Sequence, residues 1–516
     1  MSSSAPLLAG GTTPRTPRQL PAGGTTPRTP RQLPAGGTTP RTPGQVLTRP
    51  APRTPADASP VRQHALLAVL ALAGTVFAMM QALVIPALPR IQASLGTNAD
   101  GAAWISTAYL LSASILTPVI GRLGEVAGKK RMMLASLATF AAGTLVCAVA
   151  GSLGELVAGR VIQGAAGGIY PLAFAIIRDR LPRERVPAGI GLVSSLLGIG
   201  GGLGLVLPGP VMSRLPYQWL FWLSLTVIGA ALVLAARYIP ADRPAEAGSR
   251  VPWRSCLLMA AGLSAVLTAV SESATWHWAD VRTLGLLALG AAILLAWGCA
   301  EARSRNPLVD MSLMRLRGIW PANAAALLIG MGMYASFLII PEFVQAPARL
   351  GYGFGASVTG AGLFMLPTAG AQLLLGPASG LLHRRFSLRG QLSAGQLSCA
   401  AGFASLALWH EAPWQVYTAT SVLGIGFWLC LVALPNQVVS AVPAARTGSA
   451  TAVNTVVRNA GGAIGSQLAA AVIVSSAQSG TGAPAASGYV GALILCVAAT
   501  CAGALVACAT PRRGRR

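Results

Sequence analysis

Apolar stretches of about twenty residues, joined by short charged connections, fill the chain from residue 64 onward. A helix needs about 20 apolar residues to cross a bilayer. Strands of a membrane barrel would instead need ten-residue segments of alternating polarity, which this sequence lacks. The pattern therefore predicts an all-α integral membrane protein.

The apolar stretches predict fourteen transmembrane helices, and short loops leave no room for a soluble domain between them. Their predicted positions are 64–86, 102–120, 132–150, 154–177, 187–210, 217–237, 255–274, 282–300, 319–341, 355–378, 390–409, 415–440, 449–475 and 486–509.

The charges agree with this interpretation. Only 10% of the 516 residues are charged, and 38 basic residues face 14 acidic ones for a net charge of +24. Soluble domains carry roughly a quarter charged residues, so a soluble protein is excluded. When both termini are placed in the cytoplasm, the only lysines or arginines in the predicted outer loops are Arg90, Arg214, Arg282 and Arg349. This asymmetry follows the positive-inside rule, so the basic excess indicates orientation and no nucleic-acid partner is expected.

Residues 1–62 differ from the rest of the chain. GGTTPRTPRQLPA occurs from Gly10 and again from Gly23, and a truncated copy begins at Gly36. Proline recurs too often for a helix, and the segment has no apolar face to bury. We predict a disordered cytoplasmic tail, which either binds anionic lipid or has no dedicated role. Residues 510–516 predict a second, basic cytoplasmic tail.

The sequence gives little support for a metal site or for an enzyme active site. The eight cysteines are scattered without a CxxC pair, and the four histidines lie far apart. Neither pattern predicts a metal site or a disulfide framework. A membrane enzyme would need His, Asp or Glu converging at one depth, which the sequence does not suggest. No GxxxxGK[ST] motif is present, so ATP is not the predicted energy source, and no cofactor is expected.

The loop between the second and third spans is rich in glycine and charge. The glycines allow a tight turn, and the acid at position 125 can meet basic side chains or a neighbouring helix start. Its notable residues are Gly121, Leu123, Glu125, Gly128, Lys129, Lys130 and Arg131.

Arg160 lies inside the fourth span, where a charge is costly and by default indicates function. Gln163 is three residues further along and shares its helix face, and Gly164 admits a close neighbour. The alternative is a structural arginine bonded to backbone carbonyls.

Two further spans are rich in glycine, which permits close helix packing. The fifth span carries Gly198, Gly200, Gly202 and Gly204. The thirteenth carries Arg458, Gly461, Gly462 and Gly465.

These motifs resemble those of the major facilitator superfamily. The loop at 121–131 is similar to the family's signature between helices 2 and 3, although Glu125 replaces an aspartate and Val126 a basic residue. In that family the loop forms an interlock of the outward-facing state, which implies this role for Glu125. The Arg160–Gln163–Gly164 pattern matches the helix 4 motif, whose arginine is associated with proton coupling.

The resemblance extends over nearly everything after residue 62. The fifth span resembles the antiporter motif, with its proline displaced to Pro208 and Pro210. Further similar segments are 217–222, 306–310 and 458–465. The overall fit is to the fourteen-helix drug:proton antiporter family. It implies two six-helix lobes, at 63–238 and 319–509, with two inserted helices at 251–300.

The sequence departs from the family pattern at a position in helix 1 that is relevant to proton coupling. Many relatives carry an acid midway along helix 1, where this chain has Met80. The remaining candidates for proton coupling are Arg160, Gln163, Glu272 and Glu342. Either acid could exchange protons at the membrane edge, or it could simply be solvated in a loop.

The sequence therefore predicts a secondary exporter that works by alternating access and is driven by the proton gradient. Its cargo would be an amphipathic drug or antibiotic, including one made by the host. Membrane lipids would surround the protein. The candidate cavity residues are Tyr109, Tyr334, Phe364 and Met365. We expect a monomer in a bacterial plasma membrane. The alternatives are a metabolite or amino-acid exporter of the same fold and a passive channel.

Overall fold

The computed structural model describes residues 60–97, 99–241, 251–276, 278–304, 306–476 and 484–510. The repeat-bearing tail up to residue 59, which was predicted to be disordered, and the basic tail at 511–516 lie outside these ranges.

Long helices occupy every predicted span. In chain order they are α1 (Pro60–Leu95), α2 (Ala99–Ala127), α3 (Lys129–Val149), α4 (Leu153–Arg180), α5 (Val186–Met212), α6 (Gln218–Tyr238), α7 (Trp253–Trp276), α8 (Val281–Arg303), α9 (Trp320–Gln345), α10 (Val358–Leu375), α11 (Leu388–Leu408), α12 (Pro413–Ala441), α13 (Thr447–Ser475) and α14 (Ala486–Cys508). The predicted all-α membrane fold is confirmed.

Twelve of these helices are long and apolar enough to cross a membrane on composition alone, and α11 and α13 are more polar. Their polar side chains point inward: Gln391, Gln396 and Asn454 are all at most 5% exposed. A polar face that is buried against other helices costs little in lipid when its groups are hydrogen-bonded. The two helices therefore complete the bundle despite their lower hydropathy.

The first helix runs further than predicted. We expected the span to end at residue 86, yet α1 passes Pro86 and Pro89 and ends at Leu95. Proline has a backbone φ that suits a helix, but it removes the hydrogen bond of its own N–H and its ring crowds the carbonyl four residues earlier. The prolines therefore weaken the last turns of α1 without ending it.

Two hydrophobic cores divide the bundle. One is built from α1 to α6, and the other from α9 to α14. In the first, α1 packs along α5 and α3 along α6; in the second, α9 packs along α13 and α11 along α14. The same pairing thus recurs eight helices later, which gives two lobes of similar construction.

The inserted helices α7 and α8 pack against each other, and α7 also contacts α2 and α13. Glu301, at the end of α8, is 3% exposed. It accepts hydrogen bonds from the Ser255 hydroxyl of α7 and from the Val309 amide at 2.8 Å. This buried carboxylate fastens both helices to the loop that leads into α9, and the sequence did not single it out.

The lobes meet along four helix pairs: α2 with α13, α5 with α10, α5 with α12, and α4 with α13. Because each helix crosses the bundle once, the connections alternate between two faces. We call the face that carries the α2–α3, α4–α5, α10–α11 and α12–α13 connections the basic face. The other is the opposite face.

Candidate functional site: a cavity between the lobes

The position of Arg160 depends on how α4 packs against α2. After Gln163, the helix tightens into a 3-10 segment, Gly164–Gly168. A Cβ at Gly164 would collide with the Ser112 side chain of α2. The Ser112 hydroxyl also donates to the Val161 carbonyl at 2.6 Å. Close approach at the glycines therefore turns the preceding arginine towards α2 and α1.

Arg160 is 1% exposed and hydrogen-bonded to neutral groups. Its Nε donates to the Ile105 carbonyl at 3.1 Å. Its Nη1 donates to Gln163 Oε1 at 2.8 Å and to the Met80 carbonyl at 3.5 Å. The guanidinium also lies over the ring of Tyr109, 4.2 Å from its centroid. These contacts fix the guanidinium geometrically without cancelling its charge.

Gln163 is itself held in place. Its Nε2 donates to the Thr144 hydroxyl of α3 at 2.8 Å, and that hydroxyl donates to the Phe140 carbonyl at 2.7 Å. The amide oxygen of Gln163 is therefore oriented towards Arg160. This chain of bonds ties the arginine to α3 as well as to α1 and α2.

A cavity lies between the lobes and has Arg160 in its wall; its empty space, including the part that opens to solvent, is about 860 Å³. Of the described residues that line it, Arg160 is the charged one. The other lining residues are Ala78, Gln81, Ala82, Ile85, Ser106, Tyr109, Leu110, Leu197, Gly198, Gly201, Gly202, Leu205, Met333, Tyr334, Phe337, Met365, Thr368, Ala369, Gln372, Phe427 and Leu431.

A polar contact crosses this cavity. Gln81 Nε2 of α1 donates to the Tyr334 hydroxyl of α9 at 2.7 Å. The same hydroxyl donates to Asn459 Oδ1 of α13 at 3.2 Å. Since Gln81 follows Met80, the contact joins the surroundings of Arg160 to the second lobe.

Three of the four predicted cavity residues line the cavity: Tyr109, Tyr334 and Met365. Phe364 is not among the lining residues. Its ring stacks on Tyr417 at 4.6 Å and on Phe354 at 5.5 Å, within the core of the second lobe. Neighbouring residues of a helix point about 100° apart, so the cavity takes Met365 and the core takes Phe364.

The structure does not bring the two candidate acids to Arg160. Glu272 is half-buried on α7, and Glu342 is exposed near the end of α9. Neither lines the cavity. At the position of the expected helix 1 acid, Met80 is fully buried and offers only its carbonyl to Arg160.

The glycines of α5 serve two neighbours. A Cβ at Gly200 or Gly204 would press on the backbone of α1. A Cβ at Gly198 or Gly202 would collide with the side chains of Gln372 and Ala369 on α10. The alternation thus lets α5 pack closely on its own lobe and on the other lobe at once.

Gly461, Gly462 and Gly465 of α13 face α9. A Cβ at Gly461 or Gly465 would collide with the α9 backbone, and one at Gly462 with the Tyr334 ring. Their close packing fixes the position of Arg458 on α13. Arg458 is half-buried, and the structure gives its Nε no hydrogen-bond partner among the described residues.

Arg458 lines a second, smaller cavity of about 330 Å³, which we call the lower chamber. Leu197 and Leu431 line both cavities and so separate them. Arg458 lies in the half of α13 nearer the basic face, whereas Arg160 lies in the half of α4 nearer the opposite face. The other chamber residues are Tyr170, Phe174, Ser194, Pro435, Thr451, Asn454 and Thr455.

The α2–α3 connection joins the lobes at the basic face. Glu125 pairs with Arg122 at 3.0 Å, and both side chains are less than 10% exposed. Its other oxygen accepts the Ser449 amide at 2.9 Å, in the first turn of α13. A carboxylate is stabilised there by the helix dipole. Gly121 and Gly448 meet backbone to backbone beside it.

The remaining loop residues hold the first lobe together. Gly128 has a φ of +106° and begins α3, a conformation that favours glycine. Lys129 pairs with Asp179 of α4 at 2.5 Å, and Lys130 Nζ donates to the Ala236 carbonyl of α6 at 2.9 Å. Arg131 lies in the first turn of α3, and Leu123 packs beside the α7 core.

Sequence reasoning missed several residues of the site. Arg178 of α4 donates to the Thr447 hydroxyl and to the Val442 carbonyl, both at 2.7 Å, and so adds a second bond between the lobes at the basic face. Gln81 and Gln372 are glutamines inside apolar spans, a signal that could have marked them as cavity residues.

Comparison with known proteins agrees with this architecture. Residues 70–466 match the model of the Major Facilitator Superfamily. A "Multidrug resistance protein B homolog" of Mycobacterium tuberculosis is 29% identical over 391 residues, or 73% of this chain and 70% of the relative. The "Tetracenomycin C resistance and export protein" of Streptomyces glaucescens is 24% identical and covers 82% of this chain and 78% of the relative.

A solved structure shares the fold. The human organic anion transporter MFSD10 (TETRAN) superimposes with a TM-score of 0.59 at 17% identity, over 85% of this chain and 99% of the other. With the family match, the two lobes and the cavity between them, the chain is a membrane transporter of the Major Facilitator Superfamily.

Proposed function

We propose that this transporter exports an amphipathic organic molecule, such as a drug or antibiotic, by proton-coupled alternating access. The observation that carries the proposal is the cavity between the lobes, with Arg160 in its wall. Its wall combines aliphatic and aromatic side chains with a few polar groups, a pattern typical of sites for drug-sized molecules.

The contacts between the lobes suit a rocking motion. At the basic face they include hydrogen bonds of Glu125 and Arg178 to residues of the α12–α13 region. When the lobes part there, water can replace these hydrogen bonds. The free energies of the closed and open states then differ by only a few kcal/mol. This is the energetic requirement of alternating access.

The basic face would lie in the cytoplasm, because loops rich in lysine and arginine stay on that side. Both chain termini would then be cytoplasmic, in a bacterial plasma membrane. One chain contains the whole cavity, so a monomer suffices, with lipid around it.

Export would be driven by protons moving inward. Arg160 and Gln163 carry the pattern associated with coupling in the family. The helix 1 acid is replaced by Met80, and Glu272 and Glu342 lie away from the cavity. The coupling proton would therefore be exchanged outside the cavity, with Glu272 and Glu342 as the candidates.

The names of the relatives favour drugs and antibiotics as cargo, and the "Tetracenomycin C resistance and export protein" suggests an antibiotic made by the host itself. Abundant arginine, alanine and glycine fit GC-rich coding, as in actinomycetes.

The test is accumulation in a host that lacks its main drug exporters. Cells that express the chain should accumulate less N-phenyl-1-naphthylamine and less of several antibiotics than cells with an empty vector. Collapse of the proton gradient should remove the difference, since secondary transport stops without it. Export that persists after collapse would disprove proton coupling.

A broad panel of drugs and dyes with unchanged accumulation would contradict drug export. That result would favour the alternative, a metabolite or amino-acid exporter. Measurement of the compounds that the cells excrete would test it.

A further inference from the structure

The surroundings of Arg160 leave part of its guanidinium free. Nε and Nη1 have hydrogen bonds, all to neutral oxygens. Among the described residues Nη2 donates no hydrogen bond, and the described ion pairs, Arg122–Glu125 and Lys129–Asp179, do not include Arg160. A buried cation without an anion is costly, so the site favours an incoming negative charge.

Two hydroxyl groups beside the arginine are also unpaired. Ser106 Oγ and the Tyr109 hydroxyl are buried, and neither has a hydrogen-bond partner among the residues that the structure describes. These residues are three apart on α2 and therefore share one helix face, and both line the cavity with Arg160. Tyr109 lies directly under the guanidinium.

The rest of the cavity offers no counter-charge among its described lining residues. The polar lining residues Gln81, Gln372 and Thr368 are all neutral. Apolar side chains from α9, α10 and α12 cover most of what remains, including Met333, Phe337 and Phe427. One corner of the cavity is thus a set of hydrogen-bond donors around a cation, and the remainder is apolar.

We infer that the exported molecule carries an acidic group, a carboxylate or an ionised phenol or enol, which Arg160 binds together with Tyr109 and Ser106. The apolar body of the molecule packs against the second lobe. This inference rests on the proposed export function and narrows its cargo to organic anions with a ring-sized apolar part.

The geometry favours an anion over a cation for a physical reason. A guanidinium donates charge-assisted hydrogen bonds to an oxyanion, and two hydroxyl donors beside it add to the same oxygens. A cationic drug would instead meet Arg160 in a site of low dielectric, where like charges repel strongly. A neutral acceptor can take the same hydrogen bonds, but it lacks the charge that strengthens them and does not offset the buried cation.

Three matched probes test the inference by binding: dansylglycine, its methyl ester, and N-(2-aminoethyl)dansylamide. They share one fluorescent ring system and differ in charge. In nanodiscs containing the full chain, dansylglycine should bind at least about tenfold more tightly than its ester, as expected for hydrogen bonds to a charged group. The amine should bind most weakly.

Variants locate the effect. Arg160→Gln should remove the preference for dansylglycine over its ester, and Tyr109→Phe should reduce it about threefold. Arg458→Gln is the matched control: it deletes the same charge outside the cavity, so the preference should persist.

Dansylglycine that binds no more tightly than its ester, or no binding of any probe, overturns the inference. So does a preference that survives in Arg160→Gln. The outcomes are separable from export itself, because a chain that exports neutral N-phenyl-1-naphthylamine but shows no anion preference keeps the proposed function and loses only this inference.

Discussion

Two arginines lie within the membrane-spanning helices near the lobe interface, and their surroundings differ. Arg160 has three hydrogen bonds and an aromatic ring against its guanidinium. Arg458 lines the lower chamber, and its Nε lacks a partner among the described residues. The guanidinium of Arg160 is thus held by several described contacts, whereas that of Arg458 has at least one donor without a described partner.

The difference shows how charge is tolerated inside a bundle. Arg160 is enclosed by groups that hold its direction but do not neutralise it, an arrangement suited to binding. Arg458 lines the lower chamber together with Thr451, Asn454 and Thr455. Two cations with such different surroundings should respond differently to mutation.

The largest difference should appear in transport. Arg160→Ala should abolish export, because the cavity loses its binding cation, whereas Arg458→Gln should keep export within about threefold of the wild type. The measurement is accumulation of the anionic probe dansylglycine at matched amounts of protein in the membrane. Equal losses in the two variants would erase the distinction between the arginines.

The free energy of unfolding should respond differently when each of the two arginines is replaced by glutamine. Arg160→Gln leaves buried partners unsatisfied and should lower the free energy of unfolding by about 2 kcal/mol. Arg458→Gln removes a poorly paired charge and should leave stability unchanged or raise it by about 1 kcal/mol. Unfolding midpoints in one detergent test both. A destabilised Arg458→Gln would mean that its charge has a partner in the membrane.

A carboxylate placed beside Arg160 should change its role. Gln163→Glu puts an acid where the amide oxygen lies 2.8 Å from Nη1. The internal pair should compete with an anionic ligand and reduce dansylglycine affinity about tenfold. The ester should be affected little, because it does not need the charge. Unchanged dansylglycine affinity would show that Arg160 does not bind the carboxylate.

The smallest expected effect concerns the basic face. Glu125→Gln weakens the bond to Arg122 and to the start of α13, and should favour opening there by about 1 kcal/mol. In a cysteine-depleted chain, Thr455→Cys in the lower chamber should then react severalfold faster with an impermeant thiol reagent. Ser106→Cys in the main cavity should not gain reactivity from that side. Equal gains at both positions would contradict a boundary between the cavities.

The hydropathy pattern predicted the helices well because lipid demands long apolar segments, and every predicted span coincides with a helix. It could not distinguish Phe364 from Met365, since lipid-facing, core-facing and cavity-facing positions are all apolar. Arg160 and Gln163 were predictable as a pair, because their spacing alone places them on one face.

Contacts between segments that are far apart in the chain could not be predicted from the sequence. Nothing in the local pattern pairs Gln81 with Tyr334, which are 253 residues apart. Arg178 bonds mainly to backbone carbonyls, which any sequence supplies. Buried Glu301 was missed because its partners come from a loop that folds back on α8.

The central claim is that transport passes through the cavity at Arg160. The most direct test is flux of dansylglycine in proteoliposomes under an imposed pH gradient, with protein-free liposomes subtracted. The wild type should show saturable flux that stops when the gradient is collapsed, and Arg160→Ala should show none. Flux at the wild-type rate in Arg160→Ala, with the protein folded and reconstituted to the same level, would contradict the account.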